Sequence, residues 1–211
     1  MNFTPLQNDA TRSPRPLDQR KIGLLNKKDK QQSAKLKPIL CNPSEVANAT
    51  ALGFQPLSQS VVKGVEKFVF FVGYQRSGHS IIGSVMDAHP DIVIANKYFL
   101  FSECAAQLEF GASIFENKTQ LFNELYKNSY LTSKCGWRSD SNTSKGYNLD
   151  IGGQWQGTFR QLRVIGDKSG GRTTLTIMQS HRGEECLDQI VESLNMSAIA
   201  VHVVRYIIPM T

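Results

Sequence analysis

FVFFVGYQRSGHSIIGSVMDAHP, residues 68–90, is the stretch that decides the fold. Its first five residues, 68–72, are all Phe or Val, and this composition favours a central strand of a parallel sheet over a helix. A turn at 73–78 contains two glycines, and we expect a helix to begin after it, near His79 or Ser80. The stretch therefore predicts a buried strand, a glycine-bounded turn and a helix.

The predicted helix has one apolar face and a stop signal. Ile81, Ile82, Val85 and Met86 fall on that face at helical spacing. Pro90 is expected to end the helix because proline lacks the N–H that a helix interior needs. A strand, a turn and an amphipathic helix in this order are typical of an α/β protein.

The turn has the chemistry of an anion site. Backbone N–H groups at the start of a helix have no partner within the helix, and the helix dipole adds partial positive charge there. Glycines let the backbone close around a phosphate without Cβ clashes. Arg76 adds a cation, and Ser77 and Ser80 add hydroxyl donors. The turn therefore predicts phosphate-type binding; the alternative is a glycine turn that only joins a strand to a helix.

The spacing of the turn is that of a Walker A loop with one change. The pattern is Gly73-x-x-x-x-Gly78-His79-Ser80, and His79 stands where a lysine would reach the β- and γ-phosphates of a nucleoside triphosphate. This substitution argues against an ATPase or a kinase. A P-loop kinase or NTPase is kept as one alternative.

The same turn resembles the 5′-phosphosulfate loop of the PAPS-dependent sulfotransferases. Residues 74–80 are YQRSGHS, against Tyr-Pro-Lys-Ser-Gly-Thr-Thr in the family, and the cation lies two residues before the glycine in both. The pair His89-Pro90 is similar to the Golgi carbohydrate sulfotransferases. The resemblance implies 3′-phosphoadenosine 5′-phosphosulfate (PAPS) as donor, no metal, and a hydroxylated carbohydrate or small-molecule acceptor. It also implies that the donor is bound by Gln75, Arg76, Ser77, Gly78, His79 and Ser80.

A second segment, Gly166-Asp167-Lys168-Ser169, extends the resemblance after a predicted third strand at 162–167. In carbohydrate sulfotransferases a lysine follows an acidic residue here and faces the donor sulfate. The resemblance implies that Lys168 neutralises the bridging oxygen as the S–O bond breaks. The alternative is a surface lysine in a turn.

A third segment, Val203-Val204-Arg205, follows a predicted fourth strand at 199–204 and resembles the start of the family's 3′-phosphate site. Arg205 would bind the 3′-phosphate. The family completes this site with a serine eight residues later, a position past Thr211. The resemblance covers about residues 68–205, and the predicted domain is expected to be incomplete at its C-terminus.

The catalytic base is the weakest part of the pattern. In the carbohydrate branch a glutamate follows the second strand, predicted here at 91–95, but Lys97 lies at or near that position. A protonated lysine cannot accept a proton, so His79 and Glu103 are the substitutes. A catalytically inactive or truncated sulfotransferase-like nucleotide-binding protein is therefore the main alternative function.

The charge of the chain is concentrated near its start. Residues 1–40 carry nine Lys or Arg against three Asp, which accounts for the whole net charge of +6. Residues 1–62 are polar and lack apolar periodicity, and we expect a disordered basic arm. We interpret the basic run as solvated rather than bound to RNA or anionic lipid, so no nucleic acid is expected as a partner.

The compartment is left open by the sequence. The resemblance implies the Golgi lumen, but no stretch approaches the ~20 apolar residues of a membrane span and no signal peptide is visible. Four free thiols are expected from the cysteine spacing; the alternative is one disulfide, such as Cys104 with Cys135, in an oxidising lumen. Glycosylation triplets weakly favour a secretory protein; they begin at Asn2, Asn48, Asn117, Asn142 and Asn195.

The rest of the chain predicts alternating helices and loops. Residues 136–157 are rich in Gly, Ser and Asn and predict a loop or lid with a short hairpin, whose aromatic residues either anchor the loop or stack on a ligand. Helices are expected at 102–110, 113–126, 172–181 and 184–194. The predicted fold is α/β, a P-loop three-layer sandwich with a central parallel sheet at 63–211, preceded by the disordered arm.

Overall fold

The computed structural model describes residues 41, 43–109, 117–135, 151–179 and 182–205. All of them belong to the compact unit Pro38–Thr211. Within it, α-helices surround a central sheet whose strands are all parallel. The predicted fold class, α/β with a central parallel sheet, is confirmed.

Four strands form the sheet, in the order β2-β3-β1-β4. They are β1 (Lys67–Val72), β2 (Ile92–Asn96), β3 (Val164–Lys168) and β4 (Ser197–His202). Each predicted strand agrees with an observed one to within two residues at either end. Because β1 pairs with both β3 and β4, the turn that follows β1 leaves from the middle of the sheet.

The described residues include seven α-helices and a 3-10 helix, Ala49–Leu52, and none of these helices is long and apolar enough to cross a membrane. The α-helices are α1 (Pro43–Ala47), α2 (Gln59–Gly64), α3 (His79–Asp87), α4 (Leu100–Glu109), α5 (Lys118–Cys135), α6 (Gly171–Gln179) and α7 (Gly183–Leu194). The helices predicted around α3, α4, α6 and α7 are confirmed.

Helix α5 differs from its prediction. The helix expected at 113–126 continues to Cys135, because apolar residues such as Tyr130 and Leu131 go on burying one face. Residues 113–116 lie outside the described part of the chain. In the predicted loop at 136–157, residues 151–157 form turns without a strand, and the rest lies outside the described residues.

The sheet carries helices on both of its faces. Phe68 and Phe70 of β1 pack with buried residues of α4, α5 and α7. The alternate residues, Val69 and Phe71, face the other way and pack near Met86 of α3. This period-2 alternation explains why the strand at 68–72 is apolar throughout: both of its faces are covered.

Part of the predicted disordered arm is folded. Residues 43–62 include α1, the 3-10 helix and the start of α2, and Phe54 packs against the rings of Tyr126 and Tyr130 in α5. Leu57 and Val62 belong to the main core. The compact unit begins at Pro38, before the predicted boundary at residue 62, because a few apolar residues in this polar stretch pack against residues far along the chain. The other residues of the predicted arm, 1–40, lie outside the described residues.

Both predictions for the cysteines, four free thiols or one disulfide such as Cys104 with Cys135, are wrong. Cys41 is bonded to Cys135, and Cys104 to Cys186. The Cα atoms of the two pairs lie 5.0 and 5.8 Å apart, as disulfides require. One bond joins the segment before α1 to the end of α5, and the other joins α4 to α7. The pairing follows from tertiary contacts, which sequence spacing does not show.

Candidate active site at the carboxyl edge of the sheet

The sequence-predicted site residues come together at one edge of the sheet. The turn at 73–78 leaves β1, Lys168 ends β3, and Arg205 lies three residues past the end of β4. The strands are parallel, so all three segments lie at their carboxyl ends. In open α/β sheets this edge is where ligands bind.

The backbone of the turn is tightly constrained. Gly73 has φ 132°, its N–H donates to Thr174 Oγ1 at 2.8 Å, and a Cβ there would lie 2.9 Å from the carbonyl oxygen of Val203. Arg76 is left-handed at φ 65°, a conformation that costs a non-glycine residue roughly 1–3 kcal/mol. Gly78 has φ 101° and nothing within 4 Å of the place where a Cβ would stand.

Helix α3 begins directly after this turn with unused donors. Gly78 is its N-cap and has no side chain to bond the first amides, although its carbonyl accepts from the N–H of Ile81 and of Ile82. In the part of the chain that the structure describes, the N–H groups of Gly78, His79 and Ser80 have no acceptor. Three amides at a helix start beside a left-handed residue form a concave donor surface suited to an anion.

Lys168 reaches this surface from β3. Its side chain is 2% exposed, and its Nζ lies 3.3 Å from Ser80 Oγ. The aliphatic stem crosses α3 at Gly83, where a Cβ would lie 2.7 Å from Lys168 Cγ. The missing side chain at Gly83 therefore lets the ammonium group approach the start of α3.

His79 is held within the turn as a neutral ring. Its Nδ1 lies 3.1 Å from Ser77 Oγ, and a Cβ on Gly170 would lie 2.7 Å from its Nε2. Burial lowers the pKa of His79 below 6.5, and the charges of Lys168 and Lys97 lower it further. The imidazole is therefore uncharged at neutral pH and can accept a proton.

Gly170 and Gly171, where α6 begins, lie against His79 and Gln75, and neither was predicted as a site residue. Gly170 has φ 52° and supports the ring of His79. A Cβ on Gly171 would lie 2.9 Å from Gln75 Cγ. The absence of a side chain at Gly171 therefore lets Gln75 of the turn pack against the start of α6. Two adjacent glycines shortly after a strand that ends in Asp-Lys were the available signal for this close approach.

Asp167 is a positioning residue. Its carboxylate is 1% exposed and accepts from Tyr98 N, Leu100 N and Ser169 Oγ at 3.1, 3.1 and 2.7 Å. Burial raises the pKa of Asp167, and these three donors oppose the rise. The group is occupied with holding the loop after β2, so the arrangement does not favour a Walker B role.

The loop after β2 and the start of α6 add cations to this edge. Lys97 and Phe99 are left-handed at φ 60° and 65°, and Lys97 N donates to the carbonyl oxygen of Lys168 at 3.2 Å. The guanidinium of Arg172 lies 5.9 Å from the centre of the Phe99 ring, and sequence reasoning missed it. Glu103, a predicted substitute base, is exposed in the first turn of α4.

Asn96 is a second residue that sequence reasoning missed. It ends β2 in register with Lys168 and is 7% exposed. Its backbone N–H donates to Asn128 Oδ1, but neither polar atom of its own side chain has a partner among the described residues. A buried amide without partners costs about 1–3 kcal/mol, so Asn96 is a candidate ligand contact beside Lys168.

Arg205 is the predicted 3′-phosphate residue, and it follows β4. It is exposed at the carboxyl edge, and no hydrogen bond joins it to the turn in the described part of the chain. The described residues also contain no group of three or more His, Cys, Asp or Glu arranged to hold a metal ion. The geometry therefore joins Lys168 to Ser80 at the start of α3 by a hydrogen bond, and no such bond from Arg205 is seen among the described residues.

Comparison of the chain with protein-family models, with curated proteins and with solved structures finds no match. We therefore infer function from the residues of this chain and from their geometry.

Proposed function

We propose that this α/β unit is a P-loop domain of the sulfotransferase type. Its reaction would be transfer of a sulfuryl group from PAPS to a hydroxyl group of a carbohydrate. The amides at the start of α3, with Arg76 and Ser77, would hold the 5′-phosphosulfate. Arg205 would bind the 3′-phosphate, with Gln75 and Ser80 completing the donor contacts.

The observation that carries the proposal is the 3.3 Å contact between Ser80 Oγ and Lys168 Nζ. The two motifs that resemble the sulfotransferases are 88 residues apart in the chain, and this contact joins them. A glycine turn that merely connected β1 to α3 would have no need of a buried lysine at its end.

Lys168 and His79 would have separate roles in the reaction. PAPS supplies an activated sulfuryl group whose departure from the bridging oxygen leaves negative charge. Lys168 Nζ would stabilise that charge. His79, neutral because of burial and of two neighbouring lysines, would take the proton from the acceptor hydroxyl.

A nucleotide-binding protein without transferase activity is the second candidate function. Lys97 supports it: this residue follows β2 where the resemblance expects a glutamate, and its charge acts on His79. A P-loop kinase has less support. His79 replaces the Walker lysine, and Asp167 is engaged with three donors inside the protein.

Turnover of sulfur-labelled PAPS in the presence of hydroxylated carbohydrates tests the proposal. Lys168→Met keeps the aliphatic stem that packs on Gly83 but removes the ammonium group. Lys63→Met, at an exposed position in α2, is the matched control. We expect transfer by the wild type and by the control, and a loss of about 10²–10³-fold in Lys168→Met, as when one charge-stabilising donor is removed.

Two results would change the proposal. If a folded wild-type chain binds PAPS but transfers sulfate to no acceptor, the second candidate replaces the first. If Lys168→Met is as active as the wild type, Lys168 has no role in the chemistry and the contact with Ser80 is structural.

A further inference from the structure

Five Asn-X-Ser/Thr triplets are a feature of this chain that the proposed function does not use. Three of their asparagines, Asn48, Asn117 and Asn195, lie in the described residues, and all three are exposed. A glycan is bulky and hydrated, so the folded chain can carry one only at such a surface position. Asn2 and Asn142 lie outside the described residues.

The other asparagines of the described residues provide a contrast. Asn96 and Asn128 are 7% and 4% exposed, and Asn123 is half-buried and accepts from the N–H of Leu57 at 2.6 Å. None of these three begins a triplet. In the described part of the chain, asparagines within triplets are thus exposed, and those outside triplets are buried or half-buried.

The structural roles of the triplet asparagines leave the attachment atom available. Asn48 Oδ1 accepts from the N–H of Ala51 at 3.3 Å, and Asn117 Oδ1 accepts from the N–H of Gln120 at 2.9 Å. Asn195 ends α7 through its left-handed backbone, at φ 45°. An N-linked sugar is bonded to Nδ2, so a glycan and each of these caps are compatible.

The two disulfides supply an independent observation about the compartment. All four described cysteines are bonded, and Cys104 and Cys186 are fully buried. Disulfides of this kind persist in secretory and extracellular environments and are rare in a reducing cytosol. The compartment that oxidises these cysteines is also the one that attaches N-linked glycans.

We propose that this chain folds in the lumen of the secretory pathway and carries N-linked glycans at Asn48, Asn117 and Asn195. In the transfer, the asparagine Nδ2 bonds to the anomeric carbon of a lipid-pyrophosphate-linked oligosaccharide. The lipid pyrophosphate leaves, and the amide proton passes to a base of the transferase. Each disulfide forms as two thiols give two electrons and two protons to an oxidised lumenal dithiol carrier.

This proposal does not depend on the sulfotransferase function. Asn195 precedes β4 and therefore lies at the amino edge of the sheet, opposite to the candidate site. Its glycan would leave the carboxyl edge accessible.

The test is expression of the full chain in eukaryotic cells behind a cleavable secretion signal, with recovery from both cell lumen and medium. Enzymatic removal of glycans in heavy-oxygen water marks each formerly occupied asparagine, and peptide mass spectrometry reads each site separately. Thr119→Ala destroys one triplet without touching the Asn117 cap, and Thr119→Ser is the matched control that keeps the triplet. We expect occupancy at all three sites, lost only at Asn117 in Thr119→Ala and retained in Thr119→Ser.

The disulfides are read on the same material by peptide mapping without reduction. Bonds from Cys41 to Cys135 and from Cys104 to Cys186 are expected. The proposal is overturned if lumenal chain carries no sugar on these three asparagines, or if its cysteines remain as thiols. Because lumenal chain is analysed wherever it accumulates, failure to reach the medium does not affect the result.

Discussion

At the scale of single residues, His79 determines how activity should depend on pH. Its pKa is lowered from 6.5, and only the neutral imidazole can act as the base. Under the proposed function, kcat/KM is expected to rise as the pH passes the pKa of His79, which lies below 6.5. At higher pH it should be constant. His79→Gln should remove this acidic limb and lower the rate about 10²–10⁴-fold.

The pH profile of labelled-PAPS turnover measures this effect, with His89→Gln as the control. His89 lies outside the turn, and its Nδ1 accepts only from the backbone N–H of Asp91 among the bonds of the described residues. An acidic limb that persists in His79→Gln would mean that another group is the base.

A second residue, Asp87, should make stability depend on pH. It accepts from Ile94 N, Ser129 Oγ and Gly157 N, and burial raises the pKa of its carboxyl to about 6 from 3.8. The folded state favours the neutral acid, so its contribution is complete below pH 4 and is lost as pH rises through 6. A rise of this size corresponds to about 3 kcal/mol of unfolding free energy.

Urea unfolding between pH 4.5 and 7.5 measures the contribution of Asp87. The difference between wild type and Asp87→Asn should change by about 2 kcal/mol across this window, since the first third of the effect is already lost at pH 4.5. Asp91→Asn, which removes an exposed ion pair with Arg160, should change stability by about 1 kcal/mol or less. A constant difference between wild type and Asp87→Asn would show that the carboxyl titrates alike in both states.

At the scale of elements, the fit between the turn and the start of α6 decides whether the anion site forms. Gly170→Ala places a Cβ 2.7 Å from the ring of His79 at a position with φ 52°. Affinity for adenosine 3′,5′-bisphosphate is expected to fall at least about tenfold, which is 1.4 kcal/mol of binding free energy. Gly152→Ala, with nothing within 4 Å of its Cβ, is the control. Equal affinity in wild type and Gly170→Ala would contradict this fit.

The sequence predicted the elements better than it predicted their contacts. Strand β1 and the start of α3 follow from local composition: five apolar residues, then a glycine turn. The approach of Lys168 over Gly83, and of His79 onto Gly170, depends on the strand order and on missing side chains. Such close approaches leave no periodic signal, so they were not predicted.

The apolar face of α3 shows the same limit. Its spacing is helical, yet Ile81 and Val85 are 65% and 55% exposed, while Met86 packs against the sheet. Periodicity identifies the helix but not the surface that covers each face. For the same reason, the polar composition of residues 43–62 did not predict that Phe54 would be buried against residues of α5.

At the scale of the whole molecule, two disulfides join distant segments. They close separations of 94 and 82 residues, and in the chain-entropy account each stabilises the fold by about 4.5 kcal/mol. The double variant Cys104→Ala/Cys186→Ala should lose roughly this amount of unfolding free energy in denaturant titrations. A loss below about 1 kcal/mol would show that the reduced chain is already constrained in its unfolded state.

The central claim is that the turn at 73–78 and the first residues of α3 form a nucleotide 5′-phosphosulfate site. Its most direct test is calorimetric titration of the chain with adenosine 3′,5′-bisphosphate, the desulfated donor product, beside ATP with Mg²⁺. Arg76→Ala removes the cation of the turn, and Arg163→Ala, which removes an exposed partner of Glu66, is the control. We predict that wild type and Arg163→Ala bind the bisphosphate, that Arg76→Ala binds it at least about tenfold more weakly, and that ATP binds less well. A folded chain that binds neither nucleotide, or that prefers ATP with Mg²⁺, would contradict the claim.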